Sequence, residues 1–169
     1  LYTPVLLEDE SFIYCLNSFP ETITLIGGVL NDAPNNYYYE WLFNDTTTEV
    51  NTTFNDINEV GNYTVIVTDP NGCSSSRTLT VLPSSNPMIE DVIITEGTQN
   101  STVTIIASGD GDFEYALDNP NGPFQTERTF TNVTAGFHTI YVRDTNNCGL
   151  TKKVISVLGF PKYFTPNND

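Results

Sequence analysis

Lysine and arginine together number only six in 169 residues, against 21 aspartates and glutamates, and the formal charge is −15 at pH 7. Phosphate backbones are held through basic side chains, so nucleic acid is excluded as a partner, and an anionic membrane surface would repel the chain. No apolar run approaches the roughly 20 residues that a bilayer-crossing helix needs, so no membrane insertion is expected. Alanine is scarce too, and no stretch predicts a helix. Histidine occurs once, at His138. Without a Cys or carboxylate constellation around it, the many serines have no base to activate them, so no catalytic residue is assigned and no enzymatic activity is expected. The start carries no signal-peptide pattern, and the chain is expected to be a mature piece of a longer polypeptide.

What is abundant is Thr, Asn, Val, Ile, Tyr and Phe, a set that suits pleated strands and tight turns. The phrase running from Gly61 through Tyr63, Val65 and Val67 to Asp69, Asn71 and Cys73 returns 75 residues later from Gly136 through His138, Ile140 and Val142 to Asp144, Asn146 and Cys148. In each copy a glycine opens an alternating run, an Asp-x-Asn-x-Cys turn follows, and a second alternating run closes a half-buried hairpin. Two tandem β-domains of about 80 residues each are predicted, a size at which one core is adequate but not generous. The first is read as strands over 2–7, 22–27, 37–43, 46–50, 53–57, 62–68 and 77–82. The second is read as strands over 88–95, 102–108, 112–117, 128–132, 137–143 and 152–158. Between them, Leu82-Pro83-Ser84-Ser85-Asn86-Pro87 breaks the alternation and reads as a short, stiff linker. The boundaries are 1–83, 84–158 and a tail of 159–169. The segment Phe113-Glu114-Tyr115 is placed where Tyr39-Glu40-Trp41 stands in the first copy.

The pattern Gly61-x-Tyr63-x-Val65 resembles the penultimate strand of immunoglobulin-like domains, where a tyrosine near the strand start ties the chain back on itself. Val65 then stands where antibody domains have cysteine, and Trp41 is the expected core tryptophan. The fold class is therefore all-β, two tandem immunoglobulin-like β-sandwich domains. The tail Phe160-Pro161-Lys162-Tyr163-Phe164-Thr165-Pro166-Asn167-Asn168-Asp169 resembles the opening of the type B C-terminal sorting domain of Bacteroidetes type IX secretion substrates, the gliding motility-associated domain. Asn168 replaces the glycine usual in that family. The repeats likewise resemble the Ig-like or PKD-like modules that precede such domains. The resemblance implies export by the type IX secretion machinery, acting through the C-terminal region of the parent, and a secreted or cell-surface location. The role it fits is a non-enzymatic spacer and presentation module; the alternative is an adhesin-type module that binds polysaccharide or a surface protein.

Cys15 lies before the second predicted strand and Cys73 in the last hairpin turn of the first copy, so both can fall at one end of the first sandwich. A Cys15–Cys73 disulfide is expected, worth about 4 kcal/mol in the loop-closure description. It would imply an oxidising, extracytoplasmic setting. Two free thiols are the rival reading. Cys148 has no counterpart of Cys15 in its own copy and is left as a relic thiol or the partner of a cysteine in another chain or in a missing segment.

Asp110-Gly111-Asp112 and the turns at Asp69 and Asp144 offer oxygen ligands of the kind calcium takes, but none has the spacing of a full binding loop. Asp and Asn also cap tight turns without metal, so no cofactor is assigned and calcium is kept only through Asp110 and Asp112. Period-two geometry sends Tyr37, Tyr39 and Trp41 to one face of a strand and Tyr38 to the other. Tyr38 is thus the one exposed ring offered for ligand binding, to a glycan in particular. The Asn-x-Ser/Thr triplets, such as Asn51-Thr52-Thr53, would be incidental in the bacterial chain that the resemblance implies.

Overall fold

The computed structural model describes residues 3–159, which form two compact units divided between Pro83 and Ser84. The proposed sorting-domain opening at 160–169 lies outside the described residues.

The first unit has seven strands: β1 (Glu10–Cys15), β2 (Ile23–Ile26), β3 (Tyr38–Phe43), β4 (Thr46–Thr47), β5 (Phe54–Ile57), β6 (Gly61–Thr68) and β7 (Ser74–Ser84). One sheet runs β1-β7-β6-β3-β4 and the facing one pairs β2 with β5. Strands with one buried face alternate strictly, and β6 does so: Tyr63, Val65 and Val67 are buried while the residues between them are partly exposed. Trp41, paired across β3 and β6 with Val65, is fully buried between the sheets with Leu25 and Leu79. Its indole Nε1–H donates to the Thr52 carbonyl oxygen at 2.8 Å, so the one polar atom of the largest core side chain is satisfied.

The second unit has β8 (Met88–Thr95), β9 (Ser101–Ser108), β10 (Phe113–Leu117), β11 (Thr129–Val133), β12 (Gly136–Asp144) and β13 (Leu150–Val157), in sheets β10-β12-β13 and β11-β9-β8. Its core is built from Val103, Ile105, Ile140, Val142, Ile155 and Val157, with Tyr115 as its one buried large aromatic.

Two expectations about the elements change. The strand predicted over 2–7 is reduced to a bridge between Leu6 and Val29, and the first strand of the unit is β1, which falls between two predicted strands. Pro4 has no N–H for a ladder, whereas Phe12 and Tyr14 of β1 alternate onto the core. The alignment of Phe113-Glu114-Tyr115 with Tyr39-Glu40-Trp41 is off by two residues. Tyr115 pairs with Val142 as Tyr39 pairs with Val67, and Leu117 pairs with Ile140 as Trp41 pairs with Val65. An even shift keeps every side chain on its face, which is why the hydrophobic pattern alone did not reveal it.

Candidate functional site

The repeated Asp-x-Asn-x-Cys turn is explained by its aspartate. Asp69 Oδ1 accepts the backbone N–H groups of Asn71 and Cys73 at 2.8 and 2.9 Å, and Asp144 Oδ2 accepts those of Asn146 and Cys148 at 3.1 and 2.9 Å. Each carboxylate thus closes a hairpin by binding donors that the turn would otherwise leave unpaired. Asp144 is 1% exposed and takes a further hydrogen bond from Ser84 Oγ at 2.7 Å.

The calcium candidates Asp110 and Asp112 are exposed, and their backbone groups do the work. Asp110 N–H donates to Ser85 Oγ at 2.9 Å, and the Asp112 carbonyl oxygen accepts from Thr145 N–H at 2.9 Å. Gly111 between them has φ +104°, and a Cβ there would meet Ser84 Oγ and Asp144 Oδ1, so the glycine lets the turn lie on that buried pair. Among the described residues no group of three or more His, Cys, Asp or Glu is placed to hold a metal ion.

The expected Cys15–Cys73 disulfide is not formed. Cys15 and Cys148 are disulfide-bonded, while Cys73 is an exposed free thiol. β1 travels with β7 rather than against it: Ser75 Oγ donates to the Pro4 carbonyl oxygen, and three residues further on Thr78 N–H donates to Asp9 Oδ1. Cys15 at the end of β1 therefore lies toward the Ser84 end of β7, and Cys73 precedes its start. Counting extended residues at about 3.3 Å each from the Glu10–Arg77 contact puts the two on the order of 30 Å apart, far beyond disulfide reach.

His138 is engaged on both ring nitrogens. Nδ1 lies 2.6 Å from Asp118 Oδ2 and Nε2 lies 2.7 Å from the Thr134 carbonyl oxygen. Both neighbours are acceptors, so the imidazolium form fits the site. The Asp118 hydrogen bond raises the His138 pKa above its ordinary value, against the opposing effect of burial.

At one end of the first sandwich, where β2 and β6 finish and β3 and β5 begin, lies an open cleft of about 340 Å³. Asn35, Tyr37 and Tyr39 form one wall and Asn51, Thr53 and Phe54 the other. The walls are tied down by Tyr39 Oη donating to the Pro34 carbonyl oxygen at 2.7 Å, Thr52 Oγ1 to Phe54 O at 2.6 Å, and Gly27 N–H to Thr53 O at 2.9 Å. Tyr37 is 7% exposed and its hydroxyl is buried with no hydrogen-bond partner. Burial, and then the nearby Asp32 and Asp69 carboxylates, push its phenol pKa up. A second cleft of about 340 Å³ in the other unit is bordered by Phe124 and Arg143, but that guanidinium already stacks 3.8 Å over the Phe124 ring and donates to Glu114 Oε2 at 2.6 Å.

Tyr38 is 69% exposed while Tyr37, Tyr39 and Trp41 are buried, as the alternation requires. Asn35 and Phe54 were not singled out from the sequence, and Asn51 and Thr53 only as members of an Asn-x-Ser/Thr triplet, not as ligand contacts. The only signal for them was the long polar connection over 27–37, and its approach to 51–54 depends on how β2 and β5 pair.

No protein-family model matches the chain, and no curated protein matches its sequence. Solved structures do resemble it. The N-terminal eight Ig domains of Down Syndrome Cell Adhesion Molecule isoform 1.30.30 align over 92% of this chain and 27% of that one, at 15% identity and a TM-score of 0.55. Sidekick-1 immunoglobulin domains 1–4 align over 90% and 48%, at 12% identity and 0.51. Murine CEACAM1b aligns over 89% and 98%, at 12% identity and 0.50. This chain spans about a quarter of the first of these and about half of the second. The likeness establishes the fold: two tandem immunoglobulin-like sandwiches. Disulfide-bonded cysteines in such domains belong to an oxidising, extracellular environment. Among the described residues no helix is long and apolar enough to cross a membrane.

Proposed function

We propose that the chain is a non-enzymatic extracellular spacer and presentation module, holding a neighbouring part of its parent away from the cell surface. The observation that carries this reading is that the polar side chains most suited to chemistry are consumed in holding the backbone. Asp69 and Asp144 close turns, and both nitrogens of His138 face structural acceptors. A charge of −15 keeps neighbouring copies apart and soluble. The tail over 159–169, with its likeness to a type B sorting-domain opening, supports delivery of the parent through type IX secretion machinery in a Bacteroidetes cell.

The spacer role is tested by placing the chain between a surface anchor and a reporter epitope. Antibody access to the epitope is expected to rise well above that of the anchor fused directly to the epitope, and equal access refutes the role. Export is tested separately: a parent cut after residue 159 should stay inside the outer membrane, and its appearance outside would remove the sorting reading.

A second reading, direct adhesion to a polysaccharide or surface protein, is favoured by the cleft beside Tyr37, which has the polar and aromatic lining of a binding site.

A further inference from the structure

We propose that the cleft at Tyr37 is a binding site for a neutral sugar residue of a polysaccharide. This deepens the adhesion reading and rests on it; the spacer role does not depend on it.

A buried hydroxyl left without a partner costs about 1–3 kcal/mol, and Tyr37, which lines the cleft, carries such a hydroxyl. That hydroxyl is closed to solvent in this structure, and a ligand hydroxyl that reached it after a small movement of neighbouring side chains would remove that cost. With its pKa raised, the phenol keeps its proton and acts as a donor. Asn35 and Asn51 are exposed at the cleft, and neither side chain bonds to another described residue, so two amides with both donors and acceptors remain open to a ligand. Amide and phenol groups that both donate and accept suit the hydroxyls of a sugar. Phe54, 46% exposed, adds an apolar surface for the C–H face of a ring.

Charge selects among glycans. No lining residue is ionised at neutral pH, Asp32 and Asp69 lie near Tyr37, and the chain as a whole is strongly acidic. Uronates, sulfated sugars and phosphates are disfavoured there, and a neutral sugar is not. The volume of about 340 Å³ is at the small end of ligand sites and suits one sugar ring or a disaccharide. The walls are already fixed by the Tyr39–Pro34, Thr52–Phe54 and Gly27–Thr53 hydrogen bonds, so little ordering cost remains on binding. The cleft sits at the end of the sandwich opposite the point where β7 carries the chain out of the first unit, in the same loop cluster that immunoglobulin variable domains use for recognition.

The test is calorimetric titration of the full chain with soluble neutral tetrasaccharides of glucose, xylose, mannose and N-acetylglucosamine, and with tetragalacturonate as the acidic probe. Saturable binding of at least one neutral probe and none of tetragalacturonate is expected. Tyr37→Phe and Asn51→Ala should each weaken that binding about tenfold, the scale of one lost hydrogen bond, while Tyr38→Ala leaves it unchanged. Tyr37→Phe should also melt no lower than the parent chain, because it removes an unpaired hydroxyl. Binding that Tyr38→Ala abolishes and Asn51→Ala leaves intact would overturn the cleft while keeping adhesion. Preference for tetragalacturonate would overturn it as well, and no binding of any probe would overturn the sugar site together with the polysaccharide form of the adhesion reading.

Discussion

His138 and Tyr63 stand 75 residues apart and make the same contact: each closes on the carbonyl oxygen four residues upstream, Tyr63 Oη on Glu59 at 2.9 Å and His138 Nε2 on Thr134 at 2.7 Å. The tyrosine of the first copy is thus replaced by a titratable ring in the second. His138 also gains Asp118, whose Oδ1 takes the Thr139 N–H at 2.9 Å while Oδ2 faces the imidazole. A corner held by a phenol in the first copy is held by a partly exposed ion pair in the second.

That replacement makes the second unit sensitive to pH. The folded His138 pKa is raised, so its stabilisation is complete below the unfolded value near 6.5 and is lost as pH rises through the folded value. For Asp118, burial raises the pKa, but the His138 and Thr139 hydrogen bonds prevail and the net shift is downward. Its contribution is present above the ordinary carboxylate range and is lost as pH falls through the depressed value. The melting temperature is expected to fall as pH rises above the unfolded histidine value near 6.5, and His138→Tyr should remove this dependence. An identical slope in the variant, read by circular dichroism across that range, would refute the assignment.

Tyr63 gives the first unit a different limit. Burial, with Glu59 adding to it, pushes the phenol up to about 12. The neutral form is the folded one, so its stabilisation holds below pH 10 and disappears as pH climbs toward 12. Tyr63→Phe leaves the Glu59 carbonyl oxygen without its donor and should cost about 1–2 kcal/mol at pH 7 in urea unfolding followed by Trp41 fluorescence.

The two hairpin aspartates should differ in weight although they make the same turn. Asp144→Ala would strip the N–H groups of Asn146 and Cys148 and the Ser84 hydroxyl of their acceptor, two of them on buried residues. A loss of about 2–4 kcal/mol is expected. Asp69→Ala exposes its two N–H groups in a turn whose Asn71 and Cys73 already face water, and it should cost about 1 kcal/mol. Equal costs in parallel denaturation curves would show that neither the Ser84 hydrogen bond nor the burial of the donors separates them.

Cysteine chemistry divides the three thiols cleanly. In native, unreduced protein a maleimide reagent should modify Cys73 alone, and Cys15 and Cys148 should react only after reduction. Cys73→Ser should leave the melting temperature unchanged, since the turn is held by the Cys73 backbone N–H rather than its sulfur. Peptide mapping that finds Cys73 in a disulfide would reverse this.

The architecture was legible because it is written in short-range pattern. Alternation in 62–68 and 137–143, the positive-φ glycines Gly61 and Gly136 and the Asp-x-Asn-x-Cys turns all act through neighbouring residues. Tyr63 could be placed in the core from one strand and its periodicity, and Trp41 from the resemblance to the core tryptophan of immunoglobulin-like domains. Other features depended on partners distant in sequence. The two-residue offset of Tyr115 preserves the same face and leaves no trace in the pattern. Cys73 could not be ruled out as the partner of Cys15 until β1 was seen to run with β7.

The amino-acid order by itself settled that this is a duplicated all-β chain, which residues of each hairpin point inward, and that the chain is strongly acidic. Periodicity and net charge are local or additive properties and need no fold to be read. The tertiary structure decided which cysteine stays free, how His138 finds two acceptors, and that Asn35, Tyr37 and Asn51 meet around one cleft. Those outcomes depend on strand direction and loop approach, and only the folded chain fixes them.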